Sequence, residues 1–164
     1  MQWCTEEQTS ALKMSAKVKE TLFTGKSDFQ EVAVVDSEQF GRMLVLDGVF
    51  QTSIADEFVY HEMIAHIPLY IHPNPKKVLI IGGGDGGTAR EVLRHTTVEK
   101  AEMVEIDGMV VDVSKKYLPE ISVVLNDSPK NFELKIGDGI QHMADAENEY
   151  DVIIVDCSDP IGPG

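Results

Sequence analysis

Cysteine is scarce in this sequence, with Cys4 and Cys157 as the two cysteines among 164 residues. Two cysteines so far apart indicate neither a disulfide framework nor a cysteine metal site. Cys157 lies close to Asp156 and Asp159, and neighbouring carboxylates raise the pKa of a thiol. The pattern therefore argues against a nucleophilic cysteine and favours a small packed side chain.

Basic residues are also few, with 14 Lys and Arg against 28 Asp and Glu and a formal net charge of −14. Nucleic acids and anionic membranes bind to basic surfaces, so this balance argues against both as partners. It is compatible with a polycationic substrate, although an acidic composition is commonly explained by solubility alone.

Long apolar runs are absent, and no stretch approaches the roughly 20 residues of a membrane-spanning helix. The first residues lack the basic start and the apolar run of a signal peptide, so we expect a cytoplasmic location. A chain of 164 residues is long enough for one domain with a sizeable core, or for a small module ahead of one.

Residues 1–54 are predicted to form a small β-rich module. Alternating or apolar runs at residues 13–18, 32–35 and 43–46 are typical of strands. Asp47-Gly48 stands between two apolar runs, which is a strong signal for a two-residue hairpin.

Residues 55–75 are predicted to form a connecting helix and a linker. Apolar residues recur at helical spacing through residues 56–69, and Asp56-Glu57 suits a helix N-terminus. The segment His72-Pro73-Asn74-Pro75 ends the helix and marks the domain junction.

Strands alternate with helices in residues 76–164, which predicts a parallel sheet with right-handed crossovers. The strands are expected at residues 78–81, 101–105, 132–136 and 152–155, and the helices near residues 88–94, 108–117 and 140–146. The predicted fold class is therefore α/β, with a Rossmann-like, mostly parallel sheet of the type found in S-adenosylmethionine-dependent methyltransferases.

The last predicted strand, residues 152–155, is apolar on both faces, as expected of a strand inside a parallel sheet. The sequence ends shortly afterwards, with no further strand to pair with it and no helix to cover it. Because an exposed apolar edge promotes aggregation, we expect that the sequence is a fragment, incomplete at its C-terminal side, or that it needs a partner chain.

Five glycines fall within the six residues 82–87, between an apolar run and a helical pattern. A glycine-rich turn from a strand into a helix is where open α/β sheets bind nucleotide-like ligands. Asp85 places a negative charge where a dinucleotide-binding turn would accept a pyrophosphate. The turn therefore favours a ligand that is neutral or cationic at that point.

Each of the four predicted strand ends carries a carboxylate, and these ends meet at the ligand-binding edge of the sheet. Glu105, about 20 residues past the glycines, suits ribose hydroxyl groups, and Asp138 could accept from the exocyclic amine of a base. Asp85, Asp156 and Asp159 would then stabilise a multiply charged cation, and one of them with a raised pKa could accept a proton. Helix capping and turn formation compete with this interpretation, and for Asp159 alone they are the better one.

Two further patterns suggest other chemistry. Gly82, Gly84 and Gly87 satisfy the dinucleotide pattern G-x-G-x-x-G, so a hydride-transfer enzyme is an alternative that the charge on Asp85 weakens. Residues 61–66 are similar to a zinc-protease helix, but their histidines are five positions apart. Five residues turn a helix by about 500°, which places the two rings on different faces, so we expect no metal site.

Six motifs, taken in order, resemble the polyamine aminopropyltransferase family, which includes spermidine synthase. They are Phe29-Gln30, Leu46-Asp47-Gly48, residues 56–63, residues 82–87, Val104-Glu105-Ile106-Asp107 and Asp156-Cys157-Ser158-Asp159-Pro160. The resemblance covers essentially the whole chain. It implies transfer of the aminopropyl group from decarboxylated S-adenosylmethionine, a co-substrate, to putrescine, which gives spermidine and methylthioadenosine without a cofactor.

The resemblance also implies roles for individual residues. Asp156 would be the proton acceptor. The donor and its methylthioadenosine part would be held by Gln30, Leu46, Gly82, Gly84, Glu105, Asp138, Gly139 and Pro163. The diamine or spermidine would contact Gln51, Tyr60, His61, Asp85, Asp156 and Asp159. A homodimer or homotetramer that associates partly through the N-terminal module is implied as well.

Several alternatives stay open at this point. An S-adenosylmethionine-dependent methyltransferase or an NAD-binding oxidoreductase could use the same sheet, and a non-catalytic remnant could bind nucleoside or oligomerise. Ordinary S-adenosylmethionine carries a carboxylate that Asp85 would repel, which argues against the methyltransferases. Agmatine, cadaverine and spermidine would each suit an acidic pocket as the amine acceptor.

Overall fold

Two sheets make up the architecture. A computed structural model of the protein describes residues 2–147 and 149–157. The first sheet is antiparallel, and its five strands lie side by side in chain order. These strands are β1 (Gln2–Thr9), β2 (Leu12–Lys26), β3 (Glu31–Ser37), β4 (Gly41–Leu46) and β5 (Val49–Ser53). The prediction of a β-rich start is confirmed, although β1 and its pairing with β2 are not predicted from the sequence.

The predicted hairpin joins β4 to β5 at Asp47 and Gly48, whose φ angles are 49° and 80°. Positive φ at both central residues is the geometry of a type I′ turn, whose twist matches that of the strands it connects. Oδ1 of Asp47 accepts a hydrogen bond of 2.8 Å from the amide of Glu31. The turn is thereby fixed to the start of β3.

The second sheet is parallel and has the order β8-β7-β6-β9. Its strands are β6 (Lys77–Gly82), β7 (Lys100–Glu105), β8 (Phe132–Ile136) and β9 (Val152–Asp156). The helices are α1 (Glu57–Ile71), α2 (Gly87–Val92), α3 (Gly108–Tyr117), α4 (Val123–Asp127) and α5 (Gly139–Asp145). The predicted Rossmann-like α/β class is confirmed, and α4 is the helix that the sequence does not predict. None of the helices in the described residues is long and apolar enough to cross a membrane.

Strand β9 lies at an edge of the described sheet, where it pairs with β6. Val152 and Ile154 belong to a buried cluster that also contains residues of α1. By contrast, Ile153 and Val155 are 49% and 60% exposed. The sequence predicts an apolar edge that no helix covers, and within residues 2–147 and 149–157 this is confirmed for one face of β9. The other face is covered, because α1 packs against it.

The two sheets are joined by a shared core at α3. Val32, Val34 and Leu44 of the antiparallel sheet form one buried cluster with Val110 and Val113 of α3. Burying aliphatic side chains of this size stabilises the contact by roughly 1.5–3 kcal/mol for each side chain. The antiparallel sheet is therefore held next to α3, which begins just after the carboxyl end of β7.

Candidate active site

A cavity of about 790 Å³ lies where the two sheets meet. Every predicted site residue within the described ranges lines it, namely Gln30, Leu46, Gln51, Tyr60, His61, Gly82, Gly84, Asp85, Glu105, Asp138, Gly139 and Asp156. Asp159 and Pro163 were also predicted, but they lie outside the described residues. The structure thus places the predicted residues around one space, while their roles in binding stay predictions.

The glycine turn lies directly against the end of β9. Gly82 has a φ of +81°, and a Cβ atom at this position would lie 2.2 Å from the backbone oxygen of Asp156. The amide of Gly83 donates a hydrogen bond of 2.8 Å to that same oxygen. A side chain at residue 82 would therefore push the two strand ends apart, and glycine keeps Asp156 beside the turn.

Asp156 is held between two hydroxyl groups. The Tyr60 hydroxyl lies 2.7 Å from Oδ1, and the Thr88 hydroxyl lies 2.6 Å from Oδ2. Burial raises the pKa of Asp156 and nearby Asp85 raises it further; the two hydroxyl groups and His61 oppose this, but the pKa stays above its ordinary value. A raised pKa makes this carboxylate a stronger base than an ordinary aspartate, which suits it to accept a proton from a substrate. Sequence reasoning missed Thr88, although its position in the first turn of the helix after the glycines could have indicated it.

Asp85 is fixed through both of its carboxylate oxygens. Oδ1 accepts a hydrogen bond of 2.8 Å from the amide of Gly87, and Oδ2 lies 3.3 Å from Nε2 of His61. The Ser122 hydroxyl donates to the backbone oxygen of Asp85 at 2.7 Å. The carboxylate is therefore oriented before any ligand arrives.

His61 is 2% exposed and is bonded to carboxylates at both ring nitrogens. Its Nδ1 lies 2.5 Å from Oε2 of Glu57, on the side opposite Asp85. Burial lowers the pKa of the ring, but Asp85, Glu57 and Asp156 raise it more strongly, to about 9. His61 is therefore an imidazolium at neutral pH. The cluster of carboxylates that the sequence predicts to be purely anionic thus contains a cation.

The carboxylate of Glu57 is in turn bound by the guanidinium group of Arg90, which lies on α2. The two guanidinium nitrogens Nη1 and Nη2 lie 2.9 Å and 2.8 Å from the two carboxylate oxygens. Burial raises the pKa of Glu57, but hydrogen bonds from Arg90 and His61 lower it below its usual range. The sequence analysis assigns Glu57 to the helix N-terminus and does not single out Arg90, because nothing in their spacing shows that α1 and α2 meet.

Glu105 also lines the cavity, and its side chain is buried. Its Oε1 accepts a hydrogen bond of 2.9 Å from the amide of Asp107, and burial raises its pKa. A Cβ atom on Gly84 would lie 2.9 Å from Oε2. Glycine at residue 84 therefore leaves room for this carboxylate beside the turn.

Asp138 is exposed and caps α5. Its Oδ1 accepts from the amides of Ile140 and Gln141 at 2.8 Å and 3.2 Å. Helix capping, the alternative role considered for these carboxylates, thus engages Oδ1 of Asp138. A Cβ atom on neighbouring Gly139 would lie 2.6 Å from Cγ2 of Ile81, so glycine allows α5 to start close against β6.

Gln30 reaches the cavity from the loop between β2 and β3. Its Nε2 donates a hydrogen bond of 2.9 Å to Oδ2 of Asp107, which also accepts from the Ser27 hydroxyl at 2.7 Å. Asp107 is buried, and its other oxygen caps α3 by accepting from the amide of Met109 at 3.0 Å. Sequence reasoning includes Asp107 in a motif but gives it no role.

Two patterns that sequence reasoning sets aside are resolved by geometry. The ring of His61 lies against Asp85, whereas Nδ1 of His66 lies 2.8 Å from Nε2 of His95. The two histidines therefore point to different partners, as the five-residue spacing predicts. Desolvation, followed by Glu105 and Asp156, raises the pKa of the Cys157 thiol in the expected direction. The expectation of a packed side chain is wrong, because Cys157 is exposed.

Two family models match the chain. A spermine/spermidine synthase domain matches residues 57–164, and a spermidine synthase tetramerisation domain matches residues 2–53. The chain belongs to the spermine/spermidine synthase family. The resemblance drawn from the six motifs is thereby confirmed, and the oxidoreductase and methyltransferase alternatives are disfavoured.

Curated relatives and solved structures agree with this membership. The polyamine aminopropyltransferases of Caldicellulosiruptor bescii and Bacillus mycoides are 55% and 53% identical over 161 residues. These matches cover 98% of this chain and 57% and 58% of the relatives, so the chain spans a little over half of their length. A crystal structure of spermidine synthase in complex with the transition-state analogue AdoDATO has a TM-score of 0.93 at 43% identity, covering 98% of this chain and 54% of that one. Spermidine synthase from Thermotoga maritima has a TM-score of 0.91 at 44% identity, covering 94% of this chain and 54% of that one.

Proposed function

We propose that this chain forms the donor and amine sites of a spermidine synthase, which transfers the aminopropyl group of decarboxylated S-adenosylmethionine to putrescine. The products are spermidine and methylthioadenosine. The observation that carries the proposal is the state of Asp156 in a chain of this family. It is a carboxylate with a raised pKa, held by two hydroxyl groups and lining a cavity of about 790 Å³.

The reaction requires the amine to lose a proton before it attacks. Putrescine arrives as a dication, and Asp156 takes one proton from the attacking ammonium, which frees a nitrogen lone pair. This nitrogen forms a bond to the aminopropyl carbon as the carbon–sulfur bond breaks, and the bonding electrons move to the sulfonium sulfur. The positive charge on sulfur already makes the carbon electrophilic, so the step needs no metal or cofactor.

The amine is proposed to lie between Asp156 and Asp85. Since a hydrogen bond from Gly87 and an ion pair with His61 orient Asp85 beforehand, little conformational entropy is lost when it binds an ammonium group. Gln51 and Tyr60 also line the cavity, and Tyr60 bonds Asp156; both are proposed to contact the amine, together with Asp159. Both nitrogens of His61 are already bonded, so we propose that His61 acts on the amine through Asp85 rather than through a free nitrogen.

The donor is proposed to occupy the end of the cavity around Glu105. Glu105 would accept from the ribose hydroxyl groups, and the free oxygen of Asp138 from the exocyclic amine of adenine. Gln30, Leu46, Gly82, Gly84 and Gly139 would surround the nucleoside and thioether, together with Pro163. Ordinary S-adenosylmethionine would bring its carboxylate towards Asp85 and Asp156, and this repulsion selects the decarboxylated donor.

The N-terminal sheet is proposed to mediate self-association into a homodimer or homotetramer. The match of residues 2–53 to a tetramerisation domain supports this assignment. Trp3, Leu12 and Met14, on the first two strands of the sheet, have exposed side chains. Sedimentation measurements on the chain and on a variant lacking β1 would test it.

The proposed activity is tested by assaying this chain beside a version extended to the length of its relatives. Both are supplied with putrescine and the decarboxylated donor, and spermidine and methylthioadenosine are measured. Calorimetry with methylthioadenosine, NAD and S-adenosylmethionine provides the binding comparison. Preference for NAD, or absence of transfer by the extended chain, would overturn the proposal, whereas binding of methylthioadenosine without transfer by the shorter chain would identify a nucleoside-binding remnant.

A further inference from the structure

Four side chains of alternating charge form a line that runs from α2 to the cavity. Both Nη atoms of Arg90 bond the carboxylate of Glu57. Glu57 bonds Nδ1 of His61 at 2.5 Å, and Nε2 of His61 lies 3.3 Å from Asp85. Asp85 and His61 line the cavity, whereas Glu57 and Arg90 are not among its lining residues.

The packing leaves the His61 ring little freedom. A Cβ atom on Gly87 would lie 2.3 Å from Cε1 of the ring, so the ring rests directly on the backbone at the start of α2. The charged and titratable groups that face it are Glu57 and Tyr60 of α1, Asp85 of the glycine turn and Asp156 of β9. Arg90 of α2 lies behind Glu57 and fixes its orientation.

We propose that Glu57, oriented by Arg90, is a positioning residue for aminopropyl transfer, which keeps His61 protonated and thereby holds the Asp85 carboxylate towards the amine. This inference rests on the proposed function of the site. An imidazolium donates at both nitrogens, whereas a neutral imidazole donates at one. A neutral His61 would therefore donate to only one of Glu57 and Asp85, and the Asp85 carboxylate could then be held by the amide of Gly87 alone, which orients it less firmly towards the amine.

The first test measures His61 directly and needs no activity. The imidazole resonances of His61 are followed by NMR from pH 5 to pH 10.5 in this chain, in Glu57→Gln and in Glu62→Gln. Glu62 is the matched control, since it lies on the same helix, is about half exposed and is 4.0 Å from its nearest cation, Arg94. We expect a wild-type midpoint near 9, an unchanged midpoint in Glu62→Gln and a midpoint lowered by at least one pH unit in Glu57→Gln. A wild-type midpoint near 6.5 or an unchanged midpoint in Glu57→Gln overturns the proposal.

The second test uses the chain extended to family length and measures kcat/KM for putrescine against pH. The Glu57→Gln variant retains the shape of the side chain, so its activity relative to wild type should be near one at pH 6.5, where His61 is protonated in both. The ratio should fall about tenfold by pH 9, while KM for the donor stays unchanged. A ratio that is equally low at every pH would indicate a merely structural role and overturn the proposal. If the extended wild-type chain shows no transfer, the proposed function fails. The effect of Glu57 on the protonation of His61 is still tested separately by the NMR titration.

Discussion

The hydroxyl group of Thr88 lies 2.6 Å from Oδ2 of Asp156, at the point where the first turn of α2 meets the end of β9. Thr88 is fully buried, so this hydrogen bond is shielded from water. A hydrogen bond to a charged group contributes roughly 1.5–3 kcal/mol, and here it favours the charged form of Asp156. The helix that follows the glycine turn thus supplies a hydrogen bond that partly offsets the effect of burial on the pKa of Asp156 at the end of β9.

Replacing Thr88 with Val should shift the acid limb of the activity profile to higher pH. Loss of the hydroxyl raises the pKa of Asp156 further, so more of the carboxylate is protonated and unable to act as a base. At the acid end, kcat/KM for putrescine should fall about tenfold, with a smaller change on the alkaline side. Thr88→Ser, which retains the hydroxyl, is the control and should keep the wild-type profile. Superimposable profiles for Val and wild type would show that Thr88 does not tune Asp156.

Replacing Asp156 with Asn should separate turnover from binding. We expect transfer by the extended chain to fall by a factor of about 10²–10⁴, the usual contribution of general base catalysis. Affinity for methylthioadenosine, measured by calorimetry, should change little. Because burial already disfavours the charged carboxylate, the free energy of unfolding should stay the same or rise. Persistent turnover would require another base.

Gly82 and Gly48 provide a matched pair for testing the close approach at the glycine turn. Their φ angles are +81° and +80°, but a Cβ atom at residue 82 meets the Asp156 backbone, whereas nothing lies within 4 Å at residue 48. Gly48→Ala should cost about 1–2 kcal/mol for the left-handed backbone. Gly82→Ala should cost roughly 1–3 kcal/mol more, since atoms must move apart. Denaturant unfolding at pH 7 measures both, and equal costs would show that the approach of the strand ends is easily relaxed.

Stability should fall between pH 6.5 and pH 9 because of His61. Its pKa in the folded protein is raised from 6.5 to about 9, so its stabilising contribution is complete below pH 6.5 and is lost as the pH rises through 9. Each pKa unit corresponds to about 1.4 kcal/mol, which makes the total loss a few kcal/mol. The difference in unfolding free energy between wild type and His61→Asn should therefore shrink across this range. A difference that does not vary with pH would contradict the assignment of an imidazolium.

Local patterns were sufficient to predict much of the fold. Asp47-Gly48 predicts a two-residue hairpin, and the structure has it, with positive φ at both residues. The carboxylates at the strand ends could be assigned to one edge because parallel strands end together. Strand β8 and helix α3 have the predicted bounds. In each case the information lies within a few consecutive residues.

The remaining features depend on contacts between distant segments. Arg90 and Glu57 are 33 positions apart, and their pairing follows from the packing of α1 on α2, which no periodicity reveals. The pKa of His61 depends on three carboxylates from three separate elements. An uncovered apolar edge at β9 is expected from the sequence, but an apolar run does not say which of its two faces α1 covers.

Asp107 connects the two sheets of the protein. It caps α3 in the parallel-sheet half, and it accepts hydrogen bonds from Ser27 and Gln30, which lie between β2 and β3 of the antiparallel sheet. When heat or denaturant separates the two sheets, Asp107 loses these hydrogen bonds and the N-terminus of α3 is disrupted as well. The two halves should therefore melt as a single cooperative unit. Substitutions in the loop at residues 27–30, far from the glycine turn, should therefore loosen both the start of α3 and the position of Gln30, the residue proposed to contact the nucleoside.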